Sequence, residues 1–180
     1  MITTRRLVLR AWQEEDIPVF SEMCTDPEGM AFLPKLLTVE ETKQMVGRIV
    51  EHFEKHGFGL YAVEKKDTKT FIGYTGLMVA AFESFFTPCI EIGWRIRRTE
   101  WNQGFATEAA KACLDYGFTH LGMEKVYSFT SVYNLASERV MQKIGLQREG
   151  IFQHPLISPE HFLREHLLYS IKKDDYRRSS

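Results

Sequence analysis

The sequence predicts an α+β fold made by one chain of 180 residues. Three observations carry that prediction. Strand-period and helix-period stretches follow one another as strand, two helices, three strands, helix, strand, helix, two strands. That order of about seven strands and about four helices is not a regular strand–helix winding. The middle of the chain changes period across a turn with one glycine: Ile90, Ile92, Trp94 and Ile96 alternate with Glu91, Gly93 and Arg95, and after Gly104 the residues Phe105, Ala109, Ala112, Cys113 and Tyr116 recur at helical spacing. No repeat, low-complexity run or linker interrupts the chain, so residues 1–180 are expected to form a single domain, with a charged tail over 172–180 that frays.

Each element has a local reason. Leu7 and Leu9 alternate with Val8 and Arg10 as a first strand. Glu14, Glu15 and Asp16 open a helix whose stripe is Ile17, Phe20, Met23 and Cys24, and acids in a first turn complement the helix dipole. Asp26-Pro27-Glu28-Gly29 ends it. Thr38 and Glu41 have the spacing of a capping box ahead of Val46, Ile49, Val50 and Phe53, and Gly57 stops that helix. Between the two helices, Met30, Phe32, Leu33, Pro34, Leu36 and Leu37 are too apolar for an idle linker. Residues 58–63 and 70–79 read as a hairpin around the polar turn 65–69. A strand over 126–132 leads to a helix over 135–144, with Ala136, Val140, Met141 and Ile144 facing inward and Gly145 as its stop. Strands over 147–152 and 162–171 close the chain.

Composition excludes several classes. Hydrophobic residues make up 44% and charged residues 26%, the balance of a globular protein. A net charge of −1 supplies no field for grasping nucleic acid. No apolar run reaches the roughly 20 residues of a membrane span, and Met1 to Arg6 lacks the apolar core of a signal peptide, so neither membrane nor nucleic acid is an expected partner. Cys24, Cys89 and Cys113 are odd in number and widely spaced, which fits free thiols in a reducing cytoplasm. No Cys pair accompanies the six histidines, so no metal is expected.

The turn at Gly104 bears on function. A strand, a glycine turn and a helix start leave several main-chain N–H groups pointing one way, and the dipole adds partial positive charge, which together suit phosphate. There is no G-x-G-x-x-G and no Gly-Lys-Ser/Thr, so the dinucleotide fold and the P-loop are excluded.

The run Trp101-Asn102-Gln103-Gly104-Phe105-Ala106-Thr107-Glu108-Ala109 resembles the coenzyme A diphosphate loop of the GCN5-related N-acetyltransferase (GNAT) superfamily, and is most similar to its RimJ/RimL-like branch. The superfamily writes this loop Arg/Gln-x-x-Gly-x-Gly/Ala; Trp101 departs from the first position as that branch does. A second stretch, from Asn134 to Leu146, resembles the family's Asn-x-x-Ser-x-Arg/Lys-Val-x-x-Lys-x-Gly-Phe/Leu helix. The likeness runs from about residue 4 to about residue 169. It implies the GNAT fold, a mixed, mostly antiparallel twisted sheet flanked by helices. It also implies acetyl-CoA as co-substrate and transfer of its acetyl group to a primary amine, either a small molecule or a protein N-terminus, by direct attack in a ternary complex. The oligomeric state is expected to be monomer or homodimer.

The resemblance assigns roles residue by residue. The main chain of Asn102, Gln103, Gly104, Phe105, Ala106 and Thr107 would hold the diphosphate. The pantetheine arm would pair like an added strand along Trp94, Arg95 and Ile96. Arg97 and Arg98 are either partners for the nucleotide 3′-phosphate or solvated surface arginines. Asn134 reads as an N-cap and, by the resemblance, as a contact for the coenzyme arm; both roles can coexist. Glu91 matches the position of a general base, against the plain reading of a strand Glu facing water. Many relatives place a Tyr seven residues after the Asn to serve the leaving thiolate, and here that residue is Met141, so Ser137 is the expected substitute; its plain reading is a first-turn serine bonded to backbone. Tyr133, Tyr74 and His166 are further candidates. The apolar loop before Thr38 would wall the acceptor pocket or simply cover the core. The alternative function is an acyl-CoA-binding sensor with this fold and no catalysis, which the missing Tyr allows.

Overall fold

The computed structural model describes residues 1–179. Its strands are β1 (Ile2–Thr3), β2 (Leu7–Arg10), β3 (Leu60–Lys65), β4 (Phe71–Val79), β5 (Ile90–Ile96), β6 (Lys125–Ser131), β7 (Gln147–Gln153) and β8 (Glu165–Lys172). They form one sheet in the order β1-β2-β3-β4-β5-β6-β8-β7. Every pairing is antiparallel except β5 with β6, which is parallel. The helices are α1 (Asp16–Thr25), α2 (Val39–His56), α3 (Phe105–Thr119), α4 (Leu135–Lys143) and α5 (Lys173–Ser179).

The sheet therefore has eight strands and five helices among the described residues, one more of each than the sequence pattern predicts. β1 is two residues long, too short to show a period. The tail expected to fray from Lys172 instead turns into α5. Lys173 N–H bonds the Glu124 carbonyl at 3.0 Å, and the ring of Tyr176 lies 5.1 Å from that of Phe118. A docked aromatic offsets the ordering entropy that a charged tail alone cannot. Ser180 lies outside the described residues.

Two cores lie on opposite faces of the sheet. On one face α3 and α4 cover Leu7, Leu9, Ile72, Leu77, Ile92, Val126, Tyr169 and Ile171, with Ala109, Cys113, Leu114, Met141 and Ile144 from the helices. On the other, α1 and α2 bury Phe20, Met23, Cys24 and Val46 against Ala62 and Phe71. Full burial of a side chain such as Phe20 contributes roughly 2–3 kcal/mol before packing is counted. Thr38 caps α2 with both bonds of the capping box, and Gly57 ends it with φ 74°. Two inward assignments fail: Val50 and Ala136 point to solvent, while Thr42 is fully buried. The Arg10 guanidinium holds both carboxylate oxygens of Asp16, at 2.7 and 2.8 Å, and Glu64 at 2.7 Å, fixing the start of α1 to β2 and β3.

Candidate active site

Because β5 and β6 run parallel, the helices that follow them, α3 and α4, both begin at the same end of the sheet. The two strands share a single register pair, Glu91 with Tyr127. The Ser128 hydroxyl donates to the Ile92 carbonyl at 2.9 Å and holds them together there. Past that point they part. Trp94, Arg95 and Ile96 pair with Thr75, Tyr74 and Gly73 of β4, but no residue of β6 is in register with them. A wedge opens between two strand ends, flanked by two helix starts. In open sheets this is where ligands lodge.

The Gly104 loop borders that wedge. Asn102 and Gly104 adopt left-handed backbone, at φ 60° and 80°. Trp101 N–H bonds the Arg98 carbonyl, and Glu108 N–H bonds that of Gly104. Between them, among the described residues, none of the six N–H groups from Asn102 to Thr107 donates to a protein acceptor. Orphan amides at a helix start are an anion-binding concavity. The loop is held rigidly from outside: Arg6 donates to the Gln103 carbonyl at 2.9 Å and to Glu108 at 2.6 Å, and its guanidinium sits 4.4 Å above the Phe105 ring. Glu108 also accepts from Thr4 at 2.6 Å. Those bonds to Thr4 and Arg6 hold its carboxylate below the usual range against the cost of burial.

At the start of α4, the Asn134 side chain accepts the N–H of Ser137 at 3.2 Å, the expected N-cap. The Ser137 hydroxyl itself makes no hydrogen bond among the described residues and is partly buried, so it is not spent on backbone. Met141, where a Tyr was sought, is buried in the core. Tyr133 is mostly exposed, and Tyr74 packs with Trp12 and Phe20.

Glu91 stands where the strands begin to part. Its carboxylate makes no hydrogen bond or ion pair among the described residues, and burial pushes its pKa up from 4.5 to about 7. A carboxylate losing water without gaining a partner prefers to hold a proton. Glu91 is partly covered on that strand face rather than fully exposed. Strand alternation puts Glu91 and Arg95 on the face carrying α1. The Arg95 side chain is anchored there, donating to the Met23 carbonyl at 3.0 Å and touching Met30, so only its main chain is left to meet a ligand. Arg97 and Arg98 are surface arginines, their side chains 38% and 46% exposed, and their guanidinium groups are held by acids of the α1 end. They pair with Glu22, Asp26 and Glu28 at 2.9–3.1 Å. Arg97, Arg98, Glu22 and Asp26 line a cavity of about 220 Å³ between the end of β5 and α1. In the apolar loop before Thr38, Met30 is buried while Phe32, Leu33 and Leu36 are exposed.

Sequence reading missed one part of this region. Phe82 and Phe86, from the loop between β4 and β5, fold over Tyr127 and Phe129 of β6 and Phe152 of β7, with ring centroids 4.9–6.3 Å apart. His154 and His166 join the same cluster, 5.0 Å from each other. Burial lowers both imidazoles, His154 to about 4, so they are neutral at physiological pH. The only local signal was Tyr127 and Phe129 sharing one face of a strand; the rest depends on strand order.

Comparison with known proteins bears on this geometry. Residues 6–147 match the family model described as the acetyltransferase (GNAT) domain. The chain is 32% identical over 154 residues to the uncharacterized N-acetyltransferase YnaD of Bacillus subtilis (strain 168), covering 84% of this chain and 85% of that one. An acetyltransferase (GNAT family) structure from Bacillus anthracis superposes with a TM-score of 0.80 at 26% identity, over 96% and 98% of the two chains. The spermidine N-acetyltransferase of Vibrio cholerae, solved in complex with CoA and spermine, superposes with a TM-score of 0.74 at 20% identity, over 95% and 98%, and shares the fold. With a family model matched over residues 6–147 and a relative 32% identical over most of both chains, the chain belongs to the GNAT acetyltransferase family.

Proposed function

We propose that this protein is an acetyl-CoA-dependent N-acetyltransferase of the RimJ/RimL-like branch, acting on a primary amine. The observation that carries the reading is the row of six unpartnered main-chain N–H groups from Asn102 to Thr107 at the mouth of the β5–β6 wedge. They fit a diphosphate, and the unpaired edge of β5 at Trp94, Arg95 and Ile96 fits the amide-bearing arm behind it. When bound, acetyl-CoA supplies an acyl group already activated as a thioester.

The chain's own residues then have three tasks. The loop and the β5 edge position the donor beside Glu91, which removes the entropy cost of encounter. Glu91 takes a proton from the incoming ammonium; with its pKa near 7 it is a competent acceptor at neutral pH. The amine nitrogen bonds the acetyl carbon, the carbon–sulfur bond breaks, the nitrogen's second proton goes to the departing sulfur to give the free thiol, and the Ser137 hydroxyl steadies that sulfur with a hydrogen bond. Asn134 fixes Ser137 by capping α4, and its position at that helix start would let it contact the arm.

The test is release of free thiol from acetyl-CoA in the presence of a panel of primary amines. Release that depends on both amine and protein supports the reading. Tight acetyl-CoA binding with no turnover on any amine would replace it with that of an acyl-CoA sensor.

A further inference from the structure

Resting on the acetyl-transfer reading, we infer that the acceptor is a small monoamine with an aromatic or bulky apolar body, seated on the cluster of Phe82, Phe86, Tyr127, Phe129 and Phe152 beside Glu91. A polyamine has the wrong charge for this site.

The argument begins with register. Tyr127 is the direct neighbour of Glu91 across the β5–β6 pair, so the aromatic wall starts one strand away from the carboxylate. Phe86 lies 5.6 Å from Tyr127 and 4.9 Å from Phe152, and Phe82 lies 5.4 Å from Phe129. These contacts gather the rings into one compact group. Such a group offers its open ring faces to an aromatic or bulky apolar body. Phe82, Phe86, Tyr127 and Phe129 remain partly accessible, so ring faces are left for a ligand.

Charge decides against a second cation. A polyamine buries two or more ammonium groups, and each needs a carboxylate. Of the other acids on the elements that bear the wall, Glu149 is already engaged by Lys125 at 2.6 Å and by Ser170, and Glu83 and Glu165 are exposed to water. One carboxylate that is neither engaged nor open to water, beside a hydrophobic wall, describes a monoamine.

The experiment compares phenethylamine, n-butylamine, spermidine and a peptide with an aromatic second residue, reading both thiol release from acetyl-CoA and calorimetric binding in the presence of CoA. We expect kcat/KM for phenethylamine to exceed that for spermidine and for the peptide at least 10-fold. Phe129→Ala should lower phenethylamine kcat/KM at least 10-fold while changing that for n-butylamine less than 3-fold and leaving the KM for acetyl-CoA unchanged; Phe86→Leu should act in the same direction, should the first variant fold poorly. A preference for spermidine or for the peptide, or equal losses on both monoamines, overturns the inference and leaves acetyl transfer standing. Phenethylamine binding without any turnover keeps the aromatic seat and overturns acetyl transfer. Neither binding nor turnover overturns both.

Discussion

The indole Nε1 of Trp101 donates to the main-chain oxygen of Ile96 at 2.6 Å. This bond ties the entrance of the Gly104 loop to the last residue of β5, the two parts of the chain proposed to hold the diphosphate and the arm. A loop held so before a ligand arrives loses less entropy when it binds. The bulky residue at the position where the superfamily writes Arg or Gln thus has a structural reason in this chain.

Trp101→Phe keeps the ring and removes the donor. Loss of one hydrogen bond to a partly buried carbonyl costs about 1 kcal/mol, a fall in Tm of roughly 3 °C for a chain of this length. The same change is expected to raise the CoA Kd several-fold, because the loop is less fixed. Calorimetry on the variant and parent measures both. An unchanged Kd with a lowered Tm would show that the bond serves folding alone.

Gly104 has φ 80°, a conformation that costs an ordinary L-residue about 1–2 kcal/mol. Space is not the constraint, since the nearest atom to an added Cβ is the Arg6 side chain at 3.5 Å. Gly104→Ala is therefore expected to fold with a stability loss of about 1 kcal/mol, and Gly104→Val, β-branched, to lose more. If the orphan amides hold the diphosphate, twisting the loop should weaken CoA binding at least 10-fold in the valine variant. Parental affinity in a folded Gly104→Val protein would remove the loop from the binding site.

Ser137 has a hydroxyl with no partner among the described residues. Ser137→Ala should therefore leave Tm within about 1 °C, as expected when no bond is lost. Turnover should fall roughly 10- to 100-fold with little change in acetyl-CoA KM, the pattern of an interaction made in the transition state. A drop in KM alone, or no change, would assign the thiolate contact elsewhere.

What the sequence made legible was whatever depends on neighbours within one element. The capping box of Thr38 and Glu41, the stop at Gly57 and the N-cap at Asn134 all rest on bonds spanning three or four residues, and all are present. Val50 and Ala136 misled because apolar residues at the edge of a stripe need not be covered. The aromatic wall was hidden because β8 inserts between β6 and β7, and only that order brings Phe152 and His166 to Phe129. α5 was hidden because its anchor, Phe118, lies far away in the chain. Motif residues such as Gln103 and Gly104 could be named in advance. Their surroundings, such as the clamp of Arg6 on Glu108, depend on contacts about a hundred residues apart.

Glu91 makes a prediction with a definite sign. Its folded pKa, about 7, lies above the ordinary 4.5 because burial removes water and no partner replaces it. Between those two pH values the folded protein holds a proton that the unfolded chain has released. Stability from this group is therefore intact below about pH 4.5, falls as pH rises, and by pH 8 is lower by roughly 3 kcal/mol. Glu91→Gln has no proton to lose. It should match the parent's Tm near pH 4 and exceed it at pH 8 by roughly 9 °C. Catalysis should move the other way: parental kcat/KM climbs as pH rises through 7 and then levels, whereas Glu91→Gln stays at least about 100-fold lower and loses that inflection. A variant more stable at pH 8 and poorer in turnover would mark a carboxylate kept at a cost for its chemistry. Equal Tm differences at both pH values, together with parental turnover, would show that Glu91 is neither buried as described nor the base.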